Sequence, residues 1–314
     1  MKSTMKLRMH HLGKKIWNKK ILYLFLLPAF LWYTVFCYIP MGGLILIFKD
    51  YSFTGGIWGS PFSEPWYKSI RMFFDNPLLW EMIRNTLTVS ILRISTFGLP
   101  IILAIMLNEL KHPRFKKIIQ TITYFPFFIS WAIIVSLLEQ LLTPYGAGGP
   151  LYSLLTLFDS SNSIRFFMND QQYFYPILIL SLIWKTIGWN SIIYLAAMTN
   201  INPELYEAAK IDGANRYQLI RYITIPSIKM TIGLLFILSL GSLMAAGFEQ
   251  IYLMQTPGNY AVSNVLDVFV IKIGIEGGYY SLATFVGLFQ SVINLTIVVI
   301  ANAILRKKMD IALW

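Results

Sequence analysis

Six apolar stretches dominate this sequence of 314 residues, each long enough to cross a hydrocarbon layer. A layer about 30 Å thick takes roughly 20 residues of helix. The stretches lie at Ile21–Phe48, Leu87–Leu107, Ile118–Leu142, Tyr175–Met198, Thr231–Phe248 and Thr284–Leu305. In lipid, every backbone N–H and C=O must find its partner within the protein, so runs of this kind fold as helices. The spacing predicts an all-α, polytopic membrane protein with six transmembrane helices. It divides the chain into a basic arm over 1–20, a transmembrane domain over 21–305 and a short tail over 306–314. Charged residues make up 13% of the chain, about half the roughly 25% of a soluble protein, as expected where lipid replaces water. Two longer connections, Lys49–Thr86 and Thr143–Phe174, are rich in Gly, Pro and aromatics and read as ordered external loops with short helices.

The net charge of +11 raises the question of nucleic acid, and location answers it. The arm, the connections after the second and fourth spans, and the tail together hold 18 of the 26 lysines and arginines. Those segments share one side of a six-span topology. The bias orients the chain with both termini in the cytoplasm and accounts for the charge without a nucleic-acid partner. The first apolar run is about 28 residues long and lacks a small-residue cleavage site, so it reads as an uncleaved helix, with Pro28 and Pro40 tolerated inside it.

Chemistry within the membrane has few tools here. Cys37 is the only cysteine, and His10, His11 and His112 all sit in hydrophilic basic segments, so neither a metal site nor a catalytic residue is expected. No G-x-x-x-x-G-K-[ST] loop occurs in the sequence, so any ATP hydrolysis must come from another polypeptide.

The connection between the fourth and fifth spans, residues 200–226, is the most informative segment. Asn202 is a good N-cap and Pro203 suits the first helical position, so a helix should start there and run through Glu207, Ala208, Ala209 and Lys210. Gly213 supplies a turn, a second amphipathic piece is expected over Asn215–Tyr222, and Pro226 marks entry into the next span; Asp212 is counted with the coupling residues of this loop. Small side chains permit close packing, while Glu207 and Arg216 offer orienting polar contacts. This helix, turn and helix suits a rigid lever that fits a groove on a separate motor.

The spacing of Glu207, Ala208, Ala209, Gly213, Ile223, Ile225 and Pro226 resembles the signature loop of permease subunits in binding-protein-dependent ATP-binding-cassette (ABC) importers. Ile225 stands where that family usually has Leu. The resemblance extends from Pro40 to Asn302 and narrows towards the branch that imports oligosaccharides and polysaccharide fragments. It is carried there by Phe48–Ile57, Asn85–Leu92, Tyr124–Trp131, Ile183–Met198 and Gly247–Met254. It implies a type I importer permease fold with a cytoplasmic coupling helix, working by alternating access in a bacterial inner membrane. The implied partners are a second, homologous permease chain, two ATPase subunits that bind ATP and Mg, and an extracytoplasmic solute-binding protein. No cofactor is implied for this chain.

Polar residues inside the spans are costly, and so are the first candidates for a substrate pathway. Lys185 stands mid-span between Trp184 and Trp189, with Asn190 and Tyr194 beyond, a set suited to sugar rings, hydroxyls and a uronate carboxylate. The alternative is that Lys185 bonds backbone carbonyls or a partner subunit. Arg93 is expected to snorkel from the outer third of the second span. Glu249 and Gln250 near the outer end of the fifth span, and Gln290 and Asn294 on one face of the sixth, complete the candidates. The rival readings are a permease for a peptide or metal complex, and a membrane scaffold without transport.

Overall fold

In a membrane-spanning chain, what positions a site is where the helices run unbroken and where they do not. The computed structural model describes residues 19–144, 148–157, 164–309 and 313. Most of the basic arm, with His10 and His11, therefore lies outside the described residues, as do parts of the second external loop and of the tail. The described residues form no strand, only one isolated antiparallel bridge between Lys49 and Phe62.

Four helical segments are long and apolar enough to cross a membrane: Lys20–Phe48, Leu79–Glu109, Gln171–Thr199 and Tyr280–Lys307. Two bent pairs, Pro113–Phe128 with Trp131–Leu142 and Arg216–Ser227 with Lys229–Leu240, bring the number of spans to six. The principal helices are α1 (Lys20–Tyr33), α2 (Leu79–Ser95), α3 (Gly98–Glu109), α4 (Pro113–Tyr124), α5 (Trp131–Leu142) and α6 (Gln171–Thr199). They continue with α7 (Pro203–Ile211), α8 (Lys229–Leu240), α9 (Phe248–Met254), α10 (Leu266–Ile271) and α11 (Tyr280–Met309).

α6 is the axis of the molecule. Its 29 residues give about 43 Å of helix at 1.5 Å per residue. It opens on Asp170, whose carboxylate accepts from the Gln172 N–H at 2.9 Å. Leu178, Ser181, Lys185, Gly188, Ser191, Tyr194 and Met198 recur every three or four residues along its buried face, which packs on α3 and α4. Small residues on that face let backbones approach closely where no hydrophobic driving force exists between helices. A Cβ at Gly188 would collide with the Thr123 carbonyl of α4.

Three spans differ from the sequence expectation. The second starts at Leu79, so the end of the first external loop is already helical. The third is broken: α4 passes into a 3-10 turn at Phe125–Phe128, Ile129 is extended, and Ser130 caps α5 by accepting from the Ile133 N–H. The axes turn through 99°. Pro126 supplies no N–H to continue the ladder, and Ser130 starts a new one. The fifth span, expected to reach Phe248, stops at Leu240. An irregular stretch follows, ending at Gly247 with φ +91°, and α9 then sets off anew.

The first span stands apart: no residue of its most apolar window is buried within the chain. The first external loop is folded around a buried cation instead. Lys49 Nζ donates to the carbonyls of Ile57 and Trp58, each at 2.9 Å, and lies over the Phe62 ring. The neighbouring Asp50 pairs with Lys68 at 2.8 Å, and the Ser281 hydroxyl ties the loop to α11 through the Lys49 carbonyl.

Candidate functional site

The site has two parts, a lever at one end of the bundle and a cavity within it. The lever is α7 and the turn that follows. The Asn202 side chain accepts from the Glu204 N–H at 3.1 Å and Pro203 opens the helix, as the sequence predicts. Past Ile211 the chain reverses at Gly213 with φ +83°, a conformation nearly reserved for glycine, and the Ala214 N–H closes the helix end on the Ala209 carbonyl at 2.9 Å. A capping box between Asn215 and Gln218 then starts the next helix. That helix runs on through Pro226 to Ser227 as part of the bent fifth span, beyond the Tyr222 expected. Tyr206 is bonded to the buried Thr224 hydroxyl at 2.9 Å, which fastens the lever to this span. Ala209 packs inward, while Glu207, Ala208, Asp212, Gly213 and Arg216 are exposed. Ile211 is 87% exposed, so an apolar side chain stands uncovered at the lever's tip among the described residues.

The cavity, of about 370 Å³, lies between α2, α3, α6 and α8. Its polar lining includes Arg93, Thr96, Asn190, Tyr194, Ser239 and Ser242, with Phe97 and aliphatic side chains completing the wall. Hydroxyls, an amide and a guanidinium beside an aromatic ring form a surface that can bind a polyhydroxylated ring by hydrogen bonds and face contacts.

Of the residues the sequence marks for the pathway, Asn190 and Tyr194 line this cavity; the others have different surroundings. Lys185 Nζ donates to the Phe127 and Ile129 carbonyls and faces the Trp131 ring, so it satisfies the backbone freed at the break between α4 and α5. Trp189 stacks on Phe127 at 4.3 Å between centroids, covering the same break. Trp184 lines a separate, almost wholly apolar cavity of about 410 Å³ beside α5. Glu249 is exposed.

Gln290 and Asn294 brace the irregular stretch after α8, while Gln250 ties α9 to α6 and α2. The Asn294 carbonyl accepts from the Met244 N–H at 2.8 Å, and Gln290 donates to the Met244 carbonyl at 2.6 Å and to Asp267 at 2.9 Å. The other Asp267 oxygen accepts from the Gly247 N–H at 3.0 Å. Gln250 is buried, donating to the Leu178 carbonyl and Ser181 hydroxyl while accepting from Arg93 at 3.0 Å. Arg93 thus turns inward rather than snorkelling outward. Sequence reasoning missed Asp267; its signal was a lone carboxylate beside the apolar run Val268–Ile271.

These features have counterparts in known proteins. The family described as binding-protein-dependent transport system inner membrane component matches residues 97–310, which include α7 and most of the cavity wall. The chain belongs to this family. It is 39% identical over 294 residues to the polygalacturonan/rhamnogalacturonan transport system permease protein YteP of Bacillus subtilis (strain 168), covering 93% of this chain and 90% of that one. It is 40% identical over 290 residues to Protein LplB of the same organism, covering 92% and 89%. Among solved structures it resembles a chain of a bacterial alginate ABC transporter in complex with an alginate pentasaccharide-bound periplasmic protein. The TM-score is 0.84 at 36% identity, over 96% of this chain and 99% of that one. The chain is therefore an inner-membrane permease component of an ABC importer with the type I fold, and not itself an enzyme.

Proposed function

We propose that this permease carries an oligosaccharide through the cavity between α2, α3, α6 and α8 into the bacterial cytoplasm. The carrying observation is that a cavity of about 370 Å³, mainly apolar but with Arg93, Asn190, Tyr194 and hydroxyls in its wall, lies along α6, the helix whose end leads directly into the lever. Support comes also from the names of relatives, which include a polygalacturonan/rhamnogalacturonan permease and a transporter of the acidic polysaccharide alginate.

In this reading a second, homologous permease chain covers the exposed first span and completes the pathway. Two ATPase subunits, which bind ATP and Mg, receive the lever through Glu207, Ala208, Ala209, Asp212, Gly213 and Arg216. A solute-binding protein docks on the opposite side, and both termini are cytoplasmic. ATP-driven closure of the motors moves the lever, tilts the bent fifth span to which Tyr206 fastens it, and opens the cavity outward. Hydrolysis resets it.

Uptake into proteoliposomes holding the whole complex tests this reading, with ATP inside and binding protein outside. ATP-dependent accumulation of an oligosaccharide, with none for peptides or metal chelates, is the expected result. Accumulation of a peptide or chelate instead would overturn the cargo.

A further inference from the structure

Resting on that cargo reading, we propose that Arg93 is the residue that selects a uronate-bearing oligosaccharide, by donating hydrogen bonds to its carboxylate in the cavity.

The cations inside the bundle and its loops are used in different ways. Lys49 and Lys185 are committed to backbone carbonyls of their own loops and breaks. Arg93 is different. It lines the cavity wall, donates one hydrogen bond, to the neutral Gln250, and its Nε is buried with no partner. Among the described residues it forms no direct ion pair, but Asp267, which accepts from Gln290 and the Gly247 N–H, lies near enough to act on it electrostatically. A guanidinium carries five N–H donors in a planar fork, and Gln250 accepts from only one of its nitrogens.

The fork is also held in place. Gln250 is fixed by Leu178 and Ser181, and the guanidinium lies where a Cβ of Gly247 would be. A cation this deep in a membrane is costly, and one bond to an amide with Asp267 nearby but not directly paired leaves room for a closer anion. A brace could be uncharged. An acceptor that uses a preoriented fork is a carboxylate, which takes two parallel N–H bonds. The remaining walls, with Asn190, Thr96 and Phe97, suit the hydroxyls and face of the same sugar ring.

The test uses the complete importer in proteoliposomes with trigalacturonate and its carboxyl-reduced neutral counterpart as probes. Wild type should favour the acid. Arg93→Gln should lower trigalacturonate uptake at least tenfold and bring the acid-to-neutral ratio towards one. Arg93→Lys should fall between the two. Should Arg93→Gln fail to assemble, Asn190→Asp tests the claim from another wall of the cavity: a carboxylate there should depress uptake of the acid tenfold and spare the neutral sugar. Equal loss of both probes, or an unchanged ratio, would make Arg93 a structural brace and overturn the proposal. Uptake of the neutral probe alone by wild type would overturn it too while leaving the importer reading intact. Uptake of neither would sink the cargo reading beneath it.

Discussion

Lys185 illustrates how far a single residue can be read. Its position in an apolar run marks it as important, but its partners are carbonyls about 56 to 58 residues away in sequence, freed by a helix break. Replacing it with Met leaves those carbonyls unpaired. The expected cost is about 1–3 kcal/mol, seen as a lower unfolding midpoint in detergent, with the acid-to-neutral cargo ratio unchanged. A stable Lys185→Met protein with altered cargo preference would return Lys185 to the pathway. On the outer loop, the Asp50 carboxyl is held below the usual carboxylate range, first by its hydrogen bond from Lys68 and also by Ser63. Its stabilising contribution is therefore complete above the unperturbed value of about 3.9 and is lost as pH falls through the lower folded value. Hydrogen exchange over residues 49–68 should rise below about pH 3.9, and Asp50→Asn should exchange fast at every pH. An acid-induced rise that persists in Asp50→Asn would assign it to another group.

At the scale of elements, the lever was legible and the breaks were not. Asn202, Pro203 and Gly213 act locally, through a cap, a fixed φ and a positive φ, so the residues that define α7 are neighbours in sequence. The breaks after α4 and α8 depend on distant groups, Lys185 for one and Asn294, Gln290 and Asp267 for the other. An apolar window averages across such a break. Gln250, Gln290 and Asn294 stand out in the sequence as candidate pathway residues, yet a sequence cannot show whether an amide faces a cavity or a broken backbone. Two substitutions test the geometry. Ser130→Ala removes the α5 cap and should cost about 1 kcal/mol. Gly188→Ala drives a methyl into the Thr123 carbonyl and should cost about 1–3 kcal/mol, read as a lower unfolding midpoint; equal stability would contradict the close approach of α4 and α6.

For the whole molecule, the six-span plan followed from apolar length and from the distribution of lysine and arginine, both global properties that survive errors at individual boundaries. The cavity did not follow, because it is assembled from α2, α3, α6 and α8, whose faces are juxtaposed only by packing. Among the described residues the first span and Ile211 are exposed, and the proposed complex sets partner subunits against both. In the proposed machine the lever at Gly213 connects ATP hydrolysis to the cavity. Its most direct test is the ATPase activity of the assembled complex with liganded binding protein, comparing wild type, Gly213→Asn and Gly213→Pro. Asn tolerates the positive φ at this open position, whereas Pro fixes φ near −65° and removes the N–H that bonds the Lys210 carbonyl. Stimulation kept in Gly213→Asn and lost in a fully assembled Gly213→Pro complex is the predicted result. Full stimulation in Gly213→Pro would contradict it.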